Sequence, residues 1–345
     1  VTELPYDHIF RWDLDKTYLR TDFETWRDLL RTALQTPEQK VNVPGAVELL
    51  RELGDPVDGR ETLITFISGS PSQMRETLEE KFELDGIAPD ELLLKPTLEY
   101  ILKGRFAAVR GQLGYKLGAL LELRDRAPLA PETLFGDDAE QDAFIYSLYA
   151  DLAATRIDSE TLRRILEEAD VHEEAREDIL DRLSSMERGD TVRRIFIHLE
   201  ERTPPGRFWV FGPRVVPIVN YFQAAVILFD DGTIDAPAVG RVASGMIENY
   251  GYGLLDLANS FEDLMRRRHL ELETVERFAS KLGAPESNGE LPTDFLDRLM
   301  ARTRGLAPRV GREVREWSGP PDYLDVLRTD RRLRDSVRDS DRLFQ

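Results

Sequence analysis

Five short runs of strand-forming residues, separated by stretches of helix length, constrain this chain more than any other feature. The runs fall at residues 8–12 (HIFRW), 62–68 (TLITFIS), 92–94 (LLL), 132–136 (ETLFG) and 192–201 (VRRIFIHLEE). They are apolar throughout rather than alternating, which is the pattern of parallel strands covered on both faces. Between them the spacing predicts helices. One covers 23–35, with Phe23, Trp26, Leu29, Leu30 and Leu34 at helical intervals, and one starts near Pro44. Ser70, Pro71 and Gln73 have the form of a helix start with a capping box. Further helices are expected over 116–124, from Glu140 to Leu152, and over 159–188. The expected architecture is therefore α/β: a Rossmann-like three-layer parallel sheet with a mostly α-helical C-terminal region. We divide the chain into a core over 1–155, a helical insertion over 156–190, a return of the core (strand plus helix) over 191–230, and a helical appendage with a charged tail over 231–345.

Composition narrows the function classes. The chain has 345 residues and no cysteine, so disulfides, thiolate nucleophiles and cysteine-based zinc sites are excluded. The formal net charge of −19 repels nucleic-acid phosphates and anionic lipid surfaces, and we expect no nucleic-acid partner. The opening VTELPYDHIF lacks a basic start and a long apolar stretch, so no signal peptide is read there. The apolar run 215–229 is interrupted by Pro217, Asn220 and Gln223 and is too short to span a bilayer. We read that run as a helix buried against the sheet, and the protein as soluble and cytoplasmic.

Three motifs sit where expected strands end, and in an open parallel sheet those ends form the ligand crevice. In WDLDKT (12–17), Asp13 and Asp15 leave the same face of an extended segment. Two adjacent carboxylates suit a division of labour: one ionised group attacks phosphorus, while the other donates a proton and then activates water. In FISGSP (66–71), Ser68 ends a strand and Gly69 lets the backbone approach a ligand closely. Ser70 opens a helix whose amide N–H groups suit a phosphate oxygen. In FGDDAEQD (135–142), Asp137, Asp138 and Asp142 supply hard oxygen ligands of the kind Mg²⁺ takes, Asp138 being the better candidate for a helix N-cap. Asp13, Asp15, Asp137 and Asp142 in one crevice with a dianionic substrate need cations nearby. Like charges ~4 Å apart cost roughly 4 kcal/mol per pair at an effective dielectric of ~20. Mg²⁺ plus a lysine relieves this, and Lys116 is the lysine we select.

These elements, in this order, resemble the haloacid dehalogenase superfamily: Asp13-Leu14-Asp15-Lys16-Thr17, Ser68, Lys116 and Asp137…Asp142. The closer resemblance, over about residues 6–150, is to the actin-patch-type phosphatidate phosphatase catalytic domain. It is carried by Thr21-Asp22, Pro44-Gly45, the Ser68-x-Ser70-Pro71 turn and the run Gly136, Asp137, Asp142, Tyr146. The resemblance implies Asp13 as nucleophile and Asp15 as acid/base. It implies Mg²⁺ held by Asp13, the Asp15 carbonyl and Asp137, with Asp142 in support of the metal or of Lys116. Ser68 and Lys116 hold the transferring phosphoryl group, and Thr17, Gly69 and Ser70 join the substrate-binding set. The implied substrate is a phosphate monoester, either a phosphatidate-like lipid phosphate or a phosphorylated small molecule. The chain departs from the family at Ser72, where an aromatic is usual, and in its G-D-D-A. Arg105 and Arg110 are alternatives to Lys116 as the phosphate cation.

Bland readings weigh on other segments. Residues 229–235 (FDDGTID) open like a calcium loop, but the twelfth position is Arg241 or Val242, so the segment is read as a helix end at Gly232 followed by a new helix. His8, His172, His198 and His269 are scattered and are read as structural. A helical interaction or scaffold protein with an inactive core is the alternative from a different class.

Overall fold

The structure is a computed structural model that describes residues 6–20, 41–56, 59–96, 111–127, 129–282, 301 and 317–331. The expected helix over 23–35, the Thr21-Asp22 pair, Arg105 and Arg110 lie outside the described residues. Six parallel strands form one sheet in the order β3-β2-β1-β4-β5-β6. They are β1 His8–Trp12, β2 Thr62–Pro71, β3 Glu91–Lys95, β4 Glu132–Asp137, β5 Val192–His198 and β6 Val215–Ile218. Trp12 is in register with both Phe66 and Phe135, so the ends of β1, β2 and β4 stand side by side where the strand order reverses.

Alternating side chains feed two apolar layers. Phe10, Trp12, Phe66, Phe135 and Phe196 point into one, beneath α1 (Ala46–Gly54), α2 (Arg75–Leu84), α7 (Tyr221–Asp230), α8 (Ala236–Tyr250) and α9 (Leu254–Arg266). Ile67, Leu134, Ile195 and Ile197 point into the other, beneath α3 (Gln112–Arg124), α4 (Asp142–Ala153), α5 (Ser159–Glu168) and α6 (Glu173–Ser185). A further helix, α10 (Leu272–Leu282), joins the first layer through Val275 and Phe278. The expected three-layer α/β fold is the fold observed.

Three local readings are corrected. Residues 215–229 are not one helix: Val215–Ile218 form the edge strand β6, and the helix starts at Tyr221. Pro217 lacks an N–H and fits an edge strand, while the Asn220 side chain accepts a bond from Gln223 N at 3.2 Å and caps the helix. Ser70 is not an N-cap, because β2 continues to Pro71 and a 3₁₀ turn over Ser72–Met74 precedes α2. Asp138 does not cap α4; its carboxylate accepts from Glu201 N and Thr203 N, both at 2.8 Å, and pins the loop after β5.

A fully buried charge network ties the far ends of the strands. Glu132 accepts from Arg11 Nε at 2.6 Å, from an Arg124 guanidinium nitrogen at 2.7 Å and from the Tyr149 hydroxyl. Burial pushes the Glu132 carboxyl up, but the two arginines outweigh it and hold the group below its ordinary range. Nearby, His8 Nε2 lies 2.8 Å from Thr133 Oγ1. Burial, aided by the Arg60 charge, lowers the His8 pKa to about 4. The unfolded chain then binds a proton that the folded chain refuses. This contribution is intact above pH ~6.5 and is lost as pH falls toward 4. The wild type is therefore expected to lose more melting temperature between pH 6.5 and 4 than His8→Gln does. Parallel pH curves for the two proteins would refute this.

Candidate active site

The loop after β1 begins at Asp13, whose amide donates to Phe135 O at 2.8 Å across the sheet. The chain then turns sharply. Tyr18 N and Leu19 N both return to Leu14 O, and Lys16 takes φ 60, a left-handed conformation uncommon for a residue with a side chain. Packing imposes this turn. The Tyr221 hydroxyl donates to Thr17 O at 2.7 Å, and His198 Nδ1 lies 3.0 Å from Lys16 O. Thr17 is itself buried, with its hydroxyl accepting and donating no hydrogen bond among the described residues.

Asp15 is held by the end of β2. Ser70 Oγ donates to Asp15 Oδ2 at 2.7 Å and Ser68 Oγ donates to the same oxygen at 3.1 Å. Ser68 Oγ also accepts from Ser70 N at 2.9 Å, so the two serines act as one bracket. This engagement explains why Ser70 does not cap a helix. Gly69 lies between them, and a side chain there would meet the Gln112 amide at 3.5 Å.

Lys116, in the second turn of α3, is fully buried and spends its three donors on carboxylates. Its Nζ stands 2.7 Å from Asp13 Oδ1, 2.7 Å from Glu140 Oε2 and 2.5 Å from Asp142 Oδ1. Burial pulls its pKa down, yet Asp13, Asp142 and Glu140 hold it well above the ordinary lysine value. The loop from β4 to α4 closes the cluster. Asp137 Oδ1 accepts from Ala139 N at 2.6 Å and Glu140 N at 2.9 Å. Gly136 has no room for a side chain, since a Cβ there would sit 2.5 Å from Asp142 Oδ2.

Asp13, Asp137, Glu140 and Asp142 each place one oxygen within 4.8 Å of the others. Burial raises the Asp13 and Asp137 carboxyls well above their ordinary range, and the neighbouring carboxylates add to the rise. Burial also lifts Asp142 to about 6, despite Lys116. One ammonium does not balance four carboxylates. Asp13 Oδ2 and Asp137 Oδ2 are buried and accept no hydrogen bond among the described residues. Oxygen ligands in excess of positive charge, with oxygens left over, fit a divalent cation.

The structure thus brings Asp13, Asp15, Ser68, Ser70, Lys116, Asp137 and Asp142 to one end of the sheet. The Asp15 side chain faces the serines and lies outside the group of four; its implied metal ligand is the backbone carbonyl. Glu140 was not selected from the sequence, where it reads as the first residue of a helix. The signal was its place in the same acidic run as Asp137 and Asp142. Gln112, which donates to Glu140 Oε1 at 2.6 Å, carried no sequence signal. The group of four contains no histidine.

Residues 12–164 match the family model described as phosphatidate phosphatase APP1, catalytic domain, the family that the motifs resemble. No curated protein matches the chain. Among the described residues, no helix is long and apolar enough to cross a membrane.

Proposed function

We propose that the phosphatase domain matched over residues 12–164 hydrolyses a phosphate monoester by the haloacid dehalogenase route, through a phosphorylated Asp13. The observation that carries this reading is the packing of Asp13 against Lys116 within the group formed with buried Asp137 and Asp142 and half-buried Glu140. Asp13 Oδ2 attacks phosphorus, the ester P–O bond breaks, and Asp15 gives its proton to the departing alkoxide. Asp15, now ionised, takes a proton from water. That water attacks the same phosphorus, the P–O bond to Asp13 breaks, and inorganic phosphate leaves. The Ser68–Ser70 bracket orients Asp15 for both proton transfers. Lys116 neutralises phosphoryl oxygens as the bonds change, and Thr17, Gly69 and Ser70 line the phosphoryl site.

Asp13, Asp137 and the Asp15 carbonyl are the ligands we assign to Mg²⁺, with Asp142 and Glu140 in support. Bound there, the ion offsets the negative charge shared by the carboxylates and the phosphoryl group. The family description makes a phosphatidate-like lipid phosphate the leading substrate. A soluble phosphomonoester is the second reading, favoured by the net charge of −19, which opposes anionic lipid surfaces.

Mg²⁺ with a tetrahedral phosphate mimic such as vanadate is expected to raise the melting temperature by several degrees. Saturation at 100 times Kd stabilises by about 2.7 kcal/mol. Calorimetry with Mg²⁺ alone, the mimic alone and both together checks this. An unchanged melting temperature in all three favours the scaffold alternative.

A further inference from the structure

The pocket of about 420 Å³ that opens beside the site runs from Asp15 and Lys16, past Gln112 and Glu140, to residues far along the chain. Its outer wall is Ala169 and Val171, in the turn after α5, with Leu327, Asp330 and Arg331 from a helical stretch over 323–331. All five lie beyond residue 164, outside the matched domain.

The stretch is firmly seated. The Tyr323 hydroxyl donates to the buried Asp151 of α4 at 2.6 Å, and its ring packs edge-on against Phe144. The guanidinium groups of Arg156 and Arg214 lie 5.7 and 5.6 Å from the Trp317 ring. It covers Gly212, where a Cβ would clash with the indole at 2.7 Å. Arg328 pairs with Glu168 at 2.8 Å, Arg331 pairs with Asp170 at 3.0 Å, and Gln141 Nε2 reaches Asp330 Oδ2 at 3.5 Å. Leu327 is 4% exposed, belongs to the second apolar layer and lines the pocket.

We infer that this C-terminal stretch is the specificity wall of the phosphatase site and contacts the alcohol part of the ester. The inference rests on the assignment of Asp15 as the acid. An acid that protonates the leaving oxygen has the alcohol on its own side of the phosphoryl group, and the pocket opens on that side. Its lining is mixed. Leu113, Val171 and Leu327 are apolar, while Asp15, Glu140 and Asp330 stand among two ion-paired cations, Lys16 with Glu201 and Arg331 with Asp170. That chemistry suits an alcohol with an apolar body and a polar edge. Leu327 is a contact and selection residue here, not a participant in bond making.

The test compares kcat/KM for pairs of aryl phosphates with Mg²⁺. Leu327→Trp narrows the pocket and is expected to lower the 2-naphthyl to phenyl ratio by about tenfold, the size of one lost apolar fit. Leu327→Ala is expected to raise it. Because Leu327 is buried and its variants risk unseating the helix, Arg331→Glu provides a second reading at the exposed rim. It is expected to lower the 4-carboxyphenyl to phenyl ratio by about threefold. A purely structural role scales both members of a pair equally, so unchanged ratios in an active protein overturn the wall and leave the phosphatase reading standing. A wild type that hydrolyses none of these esters overturns both.

Discussion

Asp13→Asn is expected to abolish turnover of aryl phosphates, with kcat falling on the order of 10⁴-fold or more. The amide occupies the same volume but lacks the anionic oxygen that attacks phosphorus. It also leaves one fewer carboxylate around Lys116, which keeps Glu140 at 2.7 Å and Asp142 at 2.5 Å. The variant should therefore fold, and its circular dichroism should overlay that of the wild type. Asp15→Asn makes the informative contrast. It removes the proton donor, so alkyl phosphates, whose alkoxides depart poorly, should suffer more than nitrophenyl phosphate, whose phenolate departs unaided. An Asp13→Asn protein with wild-type Mg²⁺-dependent turnover would remove the nucleophile assignment.

The second large effect is on stability. Glu132→Gln is expected to destabilise the fold by about 3–5 kcal/mol, because it strips the counter-charge from two buried arginines. Arg11 and Arg124 are 1% and 0% exposed and cannot turn to water. The amide can still take a bond from the Tyr149 hydroxyl, so the loss is mainly electrostatic. Urea unfolding of both proteins measures the difference, and a loss below about 1 kcal/mol, the scale of exposed pairs, would refute it. Glu132 starts β4 and Asp137 ends it, so the same strand carries an excess of positive charge at one end, one carboxylate between two arginines, and an excess of negative charge at the other. The first suits scaffolding and the second suits a cation.

What could be read from the residues alone follows a physical line. β1, β2 and β4 are visible because each is a short apolar run closed by polar residues, and a covered parallel strand has no other way to be written. The site residues at those strand ends are visible for the same reason, since parallel topology gathers carboxyl ends together. β6 was hidden because Val215–Ile218 merges with the apolar helix after it, and only Pro217 marked the boundary. The Ser70 capping pattern was locally sound and lost to a partner 55 positions away, the Asp15 carboxylate. The Arg11–Glu132–Arg124 network leaves no local trace, as its first two members are 121 positions apart. The pocket wall at Leu327 and Arg331 was equally hidden, being made by a tertiary contact between α4 and a charged segment 172 positions away.

The order of the strands also says where the molecule can be cut. A piece ending at residue 164 keeps β1 to β4 but loses β5 and β6, which continue the same sheet beyond β4. The whole backbone edge of β4, now paired with Val192–His198, is then laid bare beside the nonpolar faces of Phe135 and Leu134. Such an edge invites another chain to pair with it. The smallest stretch able to live alone in water is thus longer than the stretch that the family model matches.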